Sequence, residues 1–232
     1  MSSSNHNIVQ VPVVTIDGPA GVGKGTLAKE LAQMFGFNYL DSGAVYRALS
    51  VKALKEQIQL DDLAQLVELA RQLSLEFPQD QNFAAHIEGE NIDASLRSEE
   101  CSSYASQVAV LSEVRKELLA LQRRFQASPG LVADGRDLGT VVFPQAEVKI
   151  FLDASCEERA QRRYKQLIDQ GISANFEQLS DGIRERDERD RSRSTAPLVA
   201  AKDAMVIDST KMSIETVVSS SAAYVRKCLF IE

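Results

Sequence analysis

The sequence predicts an α/β fold in which a parallel sheet of five strands is covered by helices on both faces. Four short runs are apolar or β-branched without alternation, which is typical of parallel strands buried on both sides. These runs are VPVVTI (Val11–Ile16), LVAD (Leu131–Asp134), KIFLD (Lys149–Asp153) and AMVID (Ala204–Asp208), and NYLD (Asn38–Asp41) is a weaker fifth. Longer amphipathic stretches follow most of the runs, and that alternation favours helices between parallel strands.

The composition is that of an ordinary globular protein. The 232 residues, 44% of them hydrophobic and 25% charged, suit one domain with inserted lobes. The net charge of -7 argues against a general nucleic-acid binder. Neither the three cysteines (Cys101, Cys156, Cys228) nor the two histidines (His6, His86) have the spacing of a metal site or a disulfide framework. The chain has no apolar run of membrane-spanning length and no signal peptide in its first ten residues, so we expect a cytoplasmic protein that contacts no membrane.

Two segments interrupt the alternation, and we interpret both as lobes on one core. Leu73–Ser98 contains alternating patterns around Gly89, which predict a small antiparallel sheet. Arg159–Ser194 is highly charged and helical, with a turn at Asp169–Phe176, and it holds half of the arginines of the chain. The last helix has Ser213 as its N-cap and is expected to be structural. We therefore predict a single domain over 1–232, with a core at about 10–50, 113–158 and 195–232, a first lobe at about 51–112 and a second lobe at about 159–194.

A glycine-rich loop joins the first strand to the first helix, which runs through Phe35. The loop consists of Gly18, Pro19, Ala20, Gly21, Val22, Gly23, Lys24, Gly25 and Thr26. Gly18 and Gly23 have the spacing of a phosphate loop, in which backbone N–H groups and a helix N-terminus surround an anion. We expect Lys24 to stand in an open part of the loop and to reach the outer phosphates. The alternative is a glycine-rich turn that only connects strand and helix.

The residue after Lys24 distinguishes this loop from many other phosphate loops. Many of them place Ser or Thr directly after the lysine as a magnesium ligand. Here Gly25 follows the lysine and the hydroxyl comes at Thr26, so GKGT resembles the loop of nucleoside monophosphate kinases. A GTPase is disfavoured because the sequence contains neither an Asp-x-x-Gly loop to sense a γ-phosphate nor an Asn-Lys-x-Asp guanine motif.

Two further strand exits carry residues suited to a phosphate acceptor. LDSGAVYRAL follows the second strand, and its Arg47 can hold a phosphate through paired hydrogen bonds. VADGRDLGT places Asp134, Arg136 and Asp137 on a glycine-rich turn. Arg47 alone is more typical of a surface arginine, whereas two acids and an arginine on such a turn are poor core material.

The second lobe contains a third cluster, RERDERDRSR. On a helix, Arg186, Asp190 and Arg193 share one face, and a similar arginine set begins at Arg159. The cluster fits a solvated, salt-bridged face. It also fits a mobile lid whose arginines stabilise the charge of a transferred phosphoryl group and exclude water.

Together these motifs resemble the bacterial cytidylate kinases from about Val13 to Glu215. The segments TIDGPAGVGKGTLA, LDSGAVYRAL, SQVAVLSEVRKEL, ADGRDLGTVVFPQAEVKIFLDAS, ERDERDRSR, APLVAAKDA and IDST occur in the order of that family. The resemblance implies a P-loop kinase fold with an inserted monophosphate-binding lobe and an arginine-rich lid. It also implies ATP-dependent, in-line phosphorylation of CMP and dCMP to the diphosphates, with Mg²⁺, by a monomer. The family often has serine where this chain has Ala20, and we expect no loss of function because the backbone donors remain.

The resemblance assigns roles position by position. ATP would be bound by Gly18 to Thr26 and Arg159, and the catalytic residues would be Lys24, Arg136 and Arg193. The acceptor phosphate would lie near Ser42, Arg47, Arg136 and Arg193. Cytosine would be read by Ser106, Arg115 and Asp137, and the sugar hydroxyls would be bound by Arg186 and Asp190. No magnesium ligand is assigned from the sequence.

Two alternatives remain. A kinase of the same fold could act on UMP or on a non-nucleotide alcohol, and an alcohol would not require Ser106, Arg115 and Asp137. A non-enzymatic nucleotide switch would require a γ-phosphate sensor loop, which the sequence lacks.

Overall fold

A five-stranded parallel sheet forms the centre of the computed structural model, which describes residues 11–193 and 195–231. The first ten residues, where no signal peptide is predicted, and Ser194, the predicted end of the second lobe, lie outside that description. In chain order the strands are β1 (Val13–Asp17), β2 (Asn38–Asp41), β3 (His86–Ile87), β4 (Glu90–Asn91), β5 (Leu131–Gly135), β6 (Val148–Asp153) and β7 (Met205–Asp208). The sheet has the order β2-β5-β1-β6-β7, and all five predicted strands are confirmed.

The carboxyl ends of the five parallel strands meet at one edge of the sheet. Asp17 at the end of β1 is aligned with Gly135 of β5 and Phe151 of β6. Each strand carries an aspartate in one of its last two positions, namely Asp17, Asp41, Asp134, Asp153 and Asp208. The loops that leave this edge therefore start next to one another, as expected for the ligand-binding edge of a parallel sheet.

Helices cover both faces of the sheet, as predicted. They are α1 (Lys24–Phe35), α2 (Ser42–Lys55), α3 (Leu63–Gln72), α4 (Asp93–Leu96), α5 (Glu99–Val108), α6 (Ser112–Arg124), α7 (Cys156–Asp169), α8 (Phe176–Ser192) and α9 (Ile214–Leu229). Successive strand residues enter different hydrophobic clusters: Val13 packs with residues of α2, α3 and α6, and Val14 packs with residues of α1 and α9. This division into two clusters is the physical basis of the non-alternating apolar strands.

The segment between α3 and α4 contains the predicted small antiparallel sheet, in shorter form. His86 pairs with Asn91 across a turn at Gly89, whose φ of +81° is left-handed. The LSLEF run contributes only a single bridge, from Glu76 to His86. Leu73 and Leu75 in that run are buried in the same cluster as Val13, so their packing replaces strand pairing.

The charged segment after β6 forms the helical pair α7 and α8. The chain turns at Gly171, with a φ of +74°, inside the predicted turn. Tyr164 and Phe176 pack edge to face across the pair with ring centroids 6.2 Å apart. Ser213 caps α9 by accepting a hydrogen bond from the backbone N–H of Thr216, as predicted. Among the described residues, no helix combines the length and the hydropathy needed to cross a membrane.

Candidate active site

The glycine loop turns around the start of α1 at the centre of the sheet edge. Gly18 leaves β1 so close to β6 that a Cβ atom would stand 2.0 Å from the carbonyl oxygen of Leu152. Gly23 is the N-cap of α1 with a φ of +101°, and no side chain in the described part of the chain caps the helix there. The first N–H groups of α1 are therefore available to an anion in the loop.

Lys24 differs from the sequence-based expectation because it is buried rather than in an open part of the loop. It is the first residue of α1, is 6% exposed, and donates from Nζ to the carbonyl oxygen of Pro19 at 2.8 Å. The loop thus wraps around the lysine stem. Burial, and after it the positive charge of Arg136, lowers the Lys24 pKa to about 7, against the opposing effect of the carboxylates of Asp134 and Asp17.

Two buried carboxylates next to Lys24, Asp17 and Asp134, belong to the site. Asp134 was expected in the charged turn after β5, and no specific role was predicted for either acid. Asp17 accepts hydrogen bonds from the backbone N–H groups of Leu138 (2.9 Å) and Gly139 (2.8 Å). Burial raises its pKa to about 6, against the effect of these two hydrogen bonds. Asp17 therefore joins the glycine loop to the turn after β5. The signal in the sequence is an acid at the end of a buried strand that is otherwise apolar or β-branched.

Asp134 is the second of these carboxylates. It accepts a hydrogen bond from the hydroxyl of Tyr39 at 2.9 Å. Burial, together with the negative charge of Asp41, its register neighbour on β2, raises the Asp134 pKa to about 7. Burial likewise raises the Tyr39 pKa. Asp134, Asp41 and Tyr39 thus form a group of three oxygen-bearing side chains beside Lys24.

The start of α2 brings Ser42 and Arg47 to the same edge. Asp41 caps α2 by accepting a hydrogen bond from the backbone N–H of Ala44 at 2.8 Å, and it also pairs with Arg47 at 3.2 Å. Ser42 is buried against Gly135, where a Cβ atom would stand 2.4 Å from the Ser42 hydroxyl. A side chain at position 135 would displace Ser42 or Leu138, so glycine suits the close approach of the two strand exits.

Asp190 of α8 pairs with two of the predicted catalytic residues, Arg136 and Arg193. The carboxylate is 3% exposed and accepts a hydrogen bond from Arg136 Nε at 2.8 Å, while its other oxygen pairs with Arg193. Burial alone would raise the Asp190 pKa, but these arginines outweigh it and hold the pKa below its usual value. Arg186, one turn earlier on α8, lies within electrostatic reach of Arg136 and Asp190. The structure therefore brings the predicted arginines of α8 and of the turn after β5 together.

Of the three predicted base-reading residues, two lie side by side. Arg115 and Asp137 form an ion pair of 3.3 Å in which both side chains are less than one fifth exposed. Arg115 also stacks its guanidinium over the ring of Tyr46, at 5.9 Å from the centroid. Burial raises the Asp137 pKa, while Arg115 and Arg193 favour its ionised form.

Ser106 is not joined to the other two base-reading residues. It lies exposed on α5, and its hydroxyl donates to the carbonyl oxygen of Ser102 one turn earlier, at 3.0 Å. Within residues 11–193 and 195–231, no hydrogen bond connects Ser106 to Arg115 or Asp137.

Arg159, predicted to bind ATP, is buried beneath the glycine loop. Its side chain is 2% exposed and donates to the carbonyl oxygens of Ala20 (3.0 Å) and Ala154 (3.1 Å). Both terminal nitrogens also pair with Asp187 of α8. In this arrangement the arginine holds the backbone of the loop.

A cavity of about 920 Å³ lies on the other side of the loop, where β6 and β7 end and α7 begins. Its walls include Asp153, Cys156, Arg184, Arg191, Val206 and Thr210. In the sheet order, β1 and its glycine loop lie between this cavity and the strand exits of β2 and β5. The cavity and the charged cluster at the exits of β2 and β5 thus lie on opposite sides of the glycine loop.

The family model for cytidylate kinase matches residues 14–227 of this chain. The chain belongs to the cytidylate kinase family. A cytidylate kinase of Aeromonas salmonicida (strain A449) is 54% identical over 219 residues, which are 94% of this chain and 95% of that protein. A cytidylate kinase of Proteus mirabilis (strain HI4320) is 51% identical over 220 residues, which are 94% of this chain and 98% of that protein.

Membership of the cytidylate kinase family confirms the resemblance inferred from the motifs. The chain is an enzyme, a nucleotide-binding phosphotransferase with a P-loop kinase fold. A solved structure of an uncharacterized protein from Eubacterium ventriosum ATCC 27560 is 12% identical and has a TM-score of 0.50. That likeness covers 94% of this chain and 99% of the other, and it concerns the fold alone.

Proposed function

We propose that this protein transfers the γ-phosphoryl group of ATP to CMP or dCMP by in-line displacement, giving ADP and CDP or dCDP. The observation that carries the proposal is the Arg115–Asp137 pair next to the arginines around Asp190. A donor-only group and an acceptor-only group stand 3.3 Å apart there. One edge of a cytosine ring carries a donor and acceptors side by side, which are complementary to such a pair.

The polarity of this pair favours cytosine over uracil. Cytosine has an amino donor at C4 and acceptors at N3 and O2, so an ionised Asp137 suits the amino group and Arg115 suits the acceptors. Uracil has a carbonyl at C4 and a donor at N3. In the same pose it would leave both protein groups desolvated and mispaired, at a cost of roughly 1–3 kcal/mol each or more for charged groups.

The acceptor phosphate is proposed to bind among Arg47, Arg136 and Arg193, each of which pairs with a carboxylate in the protein. A carboxylate fixes the orientation of a guanidinium, whose remaining N–H groups can then meet a phosphate in pairs. Phosphoryl transfer depends mainly on positioning and on cations around the equatorial oxygens. Lys24 supplies such a cation from the phosphate-loop side.

ATP is proposed to place its phosphates in the glycine loop and its nucleoside in the 920 Å³ cavity beyond it. Support comes from the free N–H groups at the start of α1 and from Arg159, which adjoins both the loop and the cavity. The donor and acceptor would then approach the loop from opposite sides, which is the arrangement that in-line transfer requires.

Mg²⁺ is proposed to accompany ATP, with Asp41 and Asp134 as the protein groups that would hold it. No group of three or more His, Cys, Asp or Glu side chains among the described residues could bind a metal by itself. Mg²⁺ usually takes one or two carboxylates and completes its shell with phosphates and water. Asp41 and Asp134 are neighbours in register whose charges oppose each other, and a divalent cation would relieve that repulsion. When bound, the ion would neutralise charge on the ATP phosphates.

We further propose that residues 51–112 form the monophosphate-binding lobe, that residues 159–194 form a lid, and that the enzyme is a cytoplasmic monomer. Arg186, Asp190 and Arg193 connect the second segment to the turn after β5. The arginine cluster is built from one chain, so it needs no second copy for completion. Cys101, Cys156 and Cys228 are all free thiols, which suits a reducing compartment.

The test is the ratio of kcat/KM for CMP and UMP in the wild type and in Asp137→Ala. Sites that pair buried polar groups can reject the wrong analogue by about 10⁴. We expect a strong wild-type preference for CMP and dCMP, a much smaller preference in Asp137→Ala, and ATP consumption only when a monophosphate is present. Similar efficiency on both bases in the wild type, or an unchanged ratio in the variant, would contradict the assignment. Activity on a non-nucleotide alcohol alone would favour the alternative kinase.

A further inference from the structure

Helix α8 buries two carboxylates on one face. Its buried residues are Asp187 and Asp190, at 9% and 3% exposure, while most of its other residues are exposed. Residues three apart on a helix lie on the same side. A helix that buries acids rather than apolar residues is held by its ion pairs, because each buried charge must be compensated.

The two carboxylates connect α8 to different parts of the enzyme. Asp187 pairs with both terminal nitrogens of Arg159, and the same guanidinium donates to the carbonyl oxygen of Ala20 in the phosphate loop. Asp190 pairs with Arg136 and Arg193 at the proposed acceptor site. One turn of a single helix therefore lies between the loop that would bind ATP and the arginines that would bind the monophosphate.

We propose that Asp187 is a positioning residue that couples the two nucleotide sites. It fixes α8 to the phosphate loop through Arg159, so occupancy of the loop fixes where Asp190 holds the acceptor arginines. ATP in the loop then raises the affinity for the monophosphate, and the monophosphate raises the affinity for ATP by the same factor, because coupling between two binding sites is reciprocal. The inference rests on the proposed function, since both nucleotides are its ligands.

The variant Asp187→Asn keeps the size of the side chain but removes the charge that compensates Arg159. Asp181→Asn is the matched control, because it makes the same change on the same helix in an ion pair with Arg184 that is about two thirds exposed. The dissociation constant of CMP is measured by calorimetry with and without a saturating non-hydrolysable ATP analogue. The wild type and Asp181→Asn should show a coupling factor of about 5–150. Asp187→Asn should reduce the factor to below about 2 while leaving binding of CMP alone within about twofold.

The results distinguish a failure of the coupling role of Asp187 from a failure of the proposed function. A wild-type coupling factor of one, or a wild-type factor retained in Asp187→Asn, would overturn the coupling role. A wild type that binds the analogue but not CMP would overturn the proposed function itself. A general loss of structure in Asp187→Asn would weaken binding of CMP alone as well as the coupling. In that case Asp187→Glu, which keeps the charge opposite Arg159, is measured instead, and a coupling factor below about 2 in that variant, with binding of CMP alone intact, would overturn the proposal.

Discussion

The two halves of the sheet edge, on either side of the phosphate loop, hold their charges differently. After β2 and β5 the charged groups are buried or half-buried and lie in close pairs, Arg47–Asp41, Arg115–Asp137 and Arg136–Asp190. After β6 and β7 they face an open cavity, and Arg191 and Asp153 are 3.9 Å apart and exposed by 57% and 37%. Pairing in a dry site orients polar groups, whereas exposed charges are screened by water. The half proposed to bind the acceptor (the acceptor half) therefore suits discrimination. The half proposed to bind the donor (the donor half), where most charges other than the buried Arg159–Asp187 pair are exposed, suits accommodation.

Lys24→Met should produce the largest effect and should affect both halves alike. Lys24 belongs to the loop between them, and removing a preorganised electrostatic group costs about 10²–10³ in kcat. Because the Arg115–Asp137 pair is untouched, the ratio of CMP to UMP efficiency should stay at the wild-type value. Steady-state kinetics with both monophosphates, alongside a circular dichroism melt to confirm folding, provide the measurement. Wild-type turnover would refute the phosphate-loop assignment, and a changed base ratio would refute the independence of the two halves.

Asp17→Asn should show how much the burial of a charged Asp17, which joins the glycine loop to the turn after β5, costs the folded protein in stability. The folded-state pKa of Asp17 is raised to about 6 from an ordinary value of 3.8. The folded protein therefore binds this proton more tightly than the unfolded chain does. The protonated Asp17 carboxyl therefore contributes fully to the free energy of unfolding below about pH 3.8. This contribution, about 3 kcal/mol in total, is lost as the pH rises through about 6.

The measurement is the free energy of unfolding of the wild type and of Asp17→Asn between pH 4 and pH 7. Asparagine does not titrate, so the wild type should lose stability relative to the variant as the pH rises through this window. Other titrating groups are present in both proteins, so their effects cancel when the free energy of unfolding of the variant is subtracted from that of the wild type. A difference that does not vary with pH would mean that Asp17 titrates normally.

The smallest effect should come from changing the base of the donor. Charges around the cavity of the donor half are largely exposed, so a different purine meets few desolvated groups to mispair with. Replacing ATP by GTP, at saturating CMP, should lower kcat/KM by less than about tenfold, far below the effect of replacing CMP by UMP. If the kcat/KM ratio of ATP to GTP were as large as that of CMP to UMP, the proposed difference between the two halves of the sheet edge would be wrong.

The sequence predicted the parts of this site that depend on local pattern. The glycine spacing identified the phosphate loop, and the apolar or β-branched runs identified four of the five strands clearly and β2, as NYLD, more weakly. The burial of Lys24 could not be predicted, because it depends on the loop folding back so that the carbonyl of Pro19 meets the ammonium group. The role of Arg159 in holding the loop depends on Asp187, 28 residues further along the chain, and no local pattern reports such a pairing. The role of Asp17 could not be predicted either, because its hydrogen-bond partners are backbone N–H groups of a distant turn, 121 and 122 residues away in the sequence.

The strand order has a consequence for how the protein folds as it is synthesised. Each pairing within the sheet involves β5 or a later strand, and Val13 of β1 pairs with Leu131, which lies more than half the chain further on. A nascent chain can form its early helices by local contacts, but β1 and β2 have no sheet partner until β5 leaves the ribosome. Non-local pairing of this kind slows folding and leaves apolar strands exposed in the meantime. Chains that stop before β5 should therefore contain helix, expose the apolar VVTID run of β1 and bind no nucleotide.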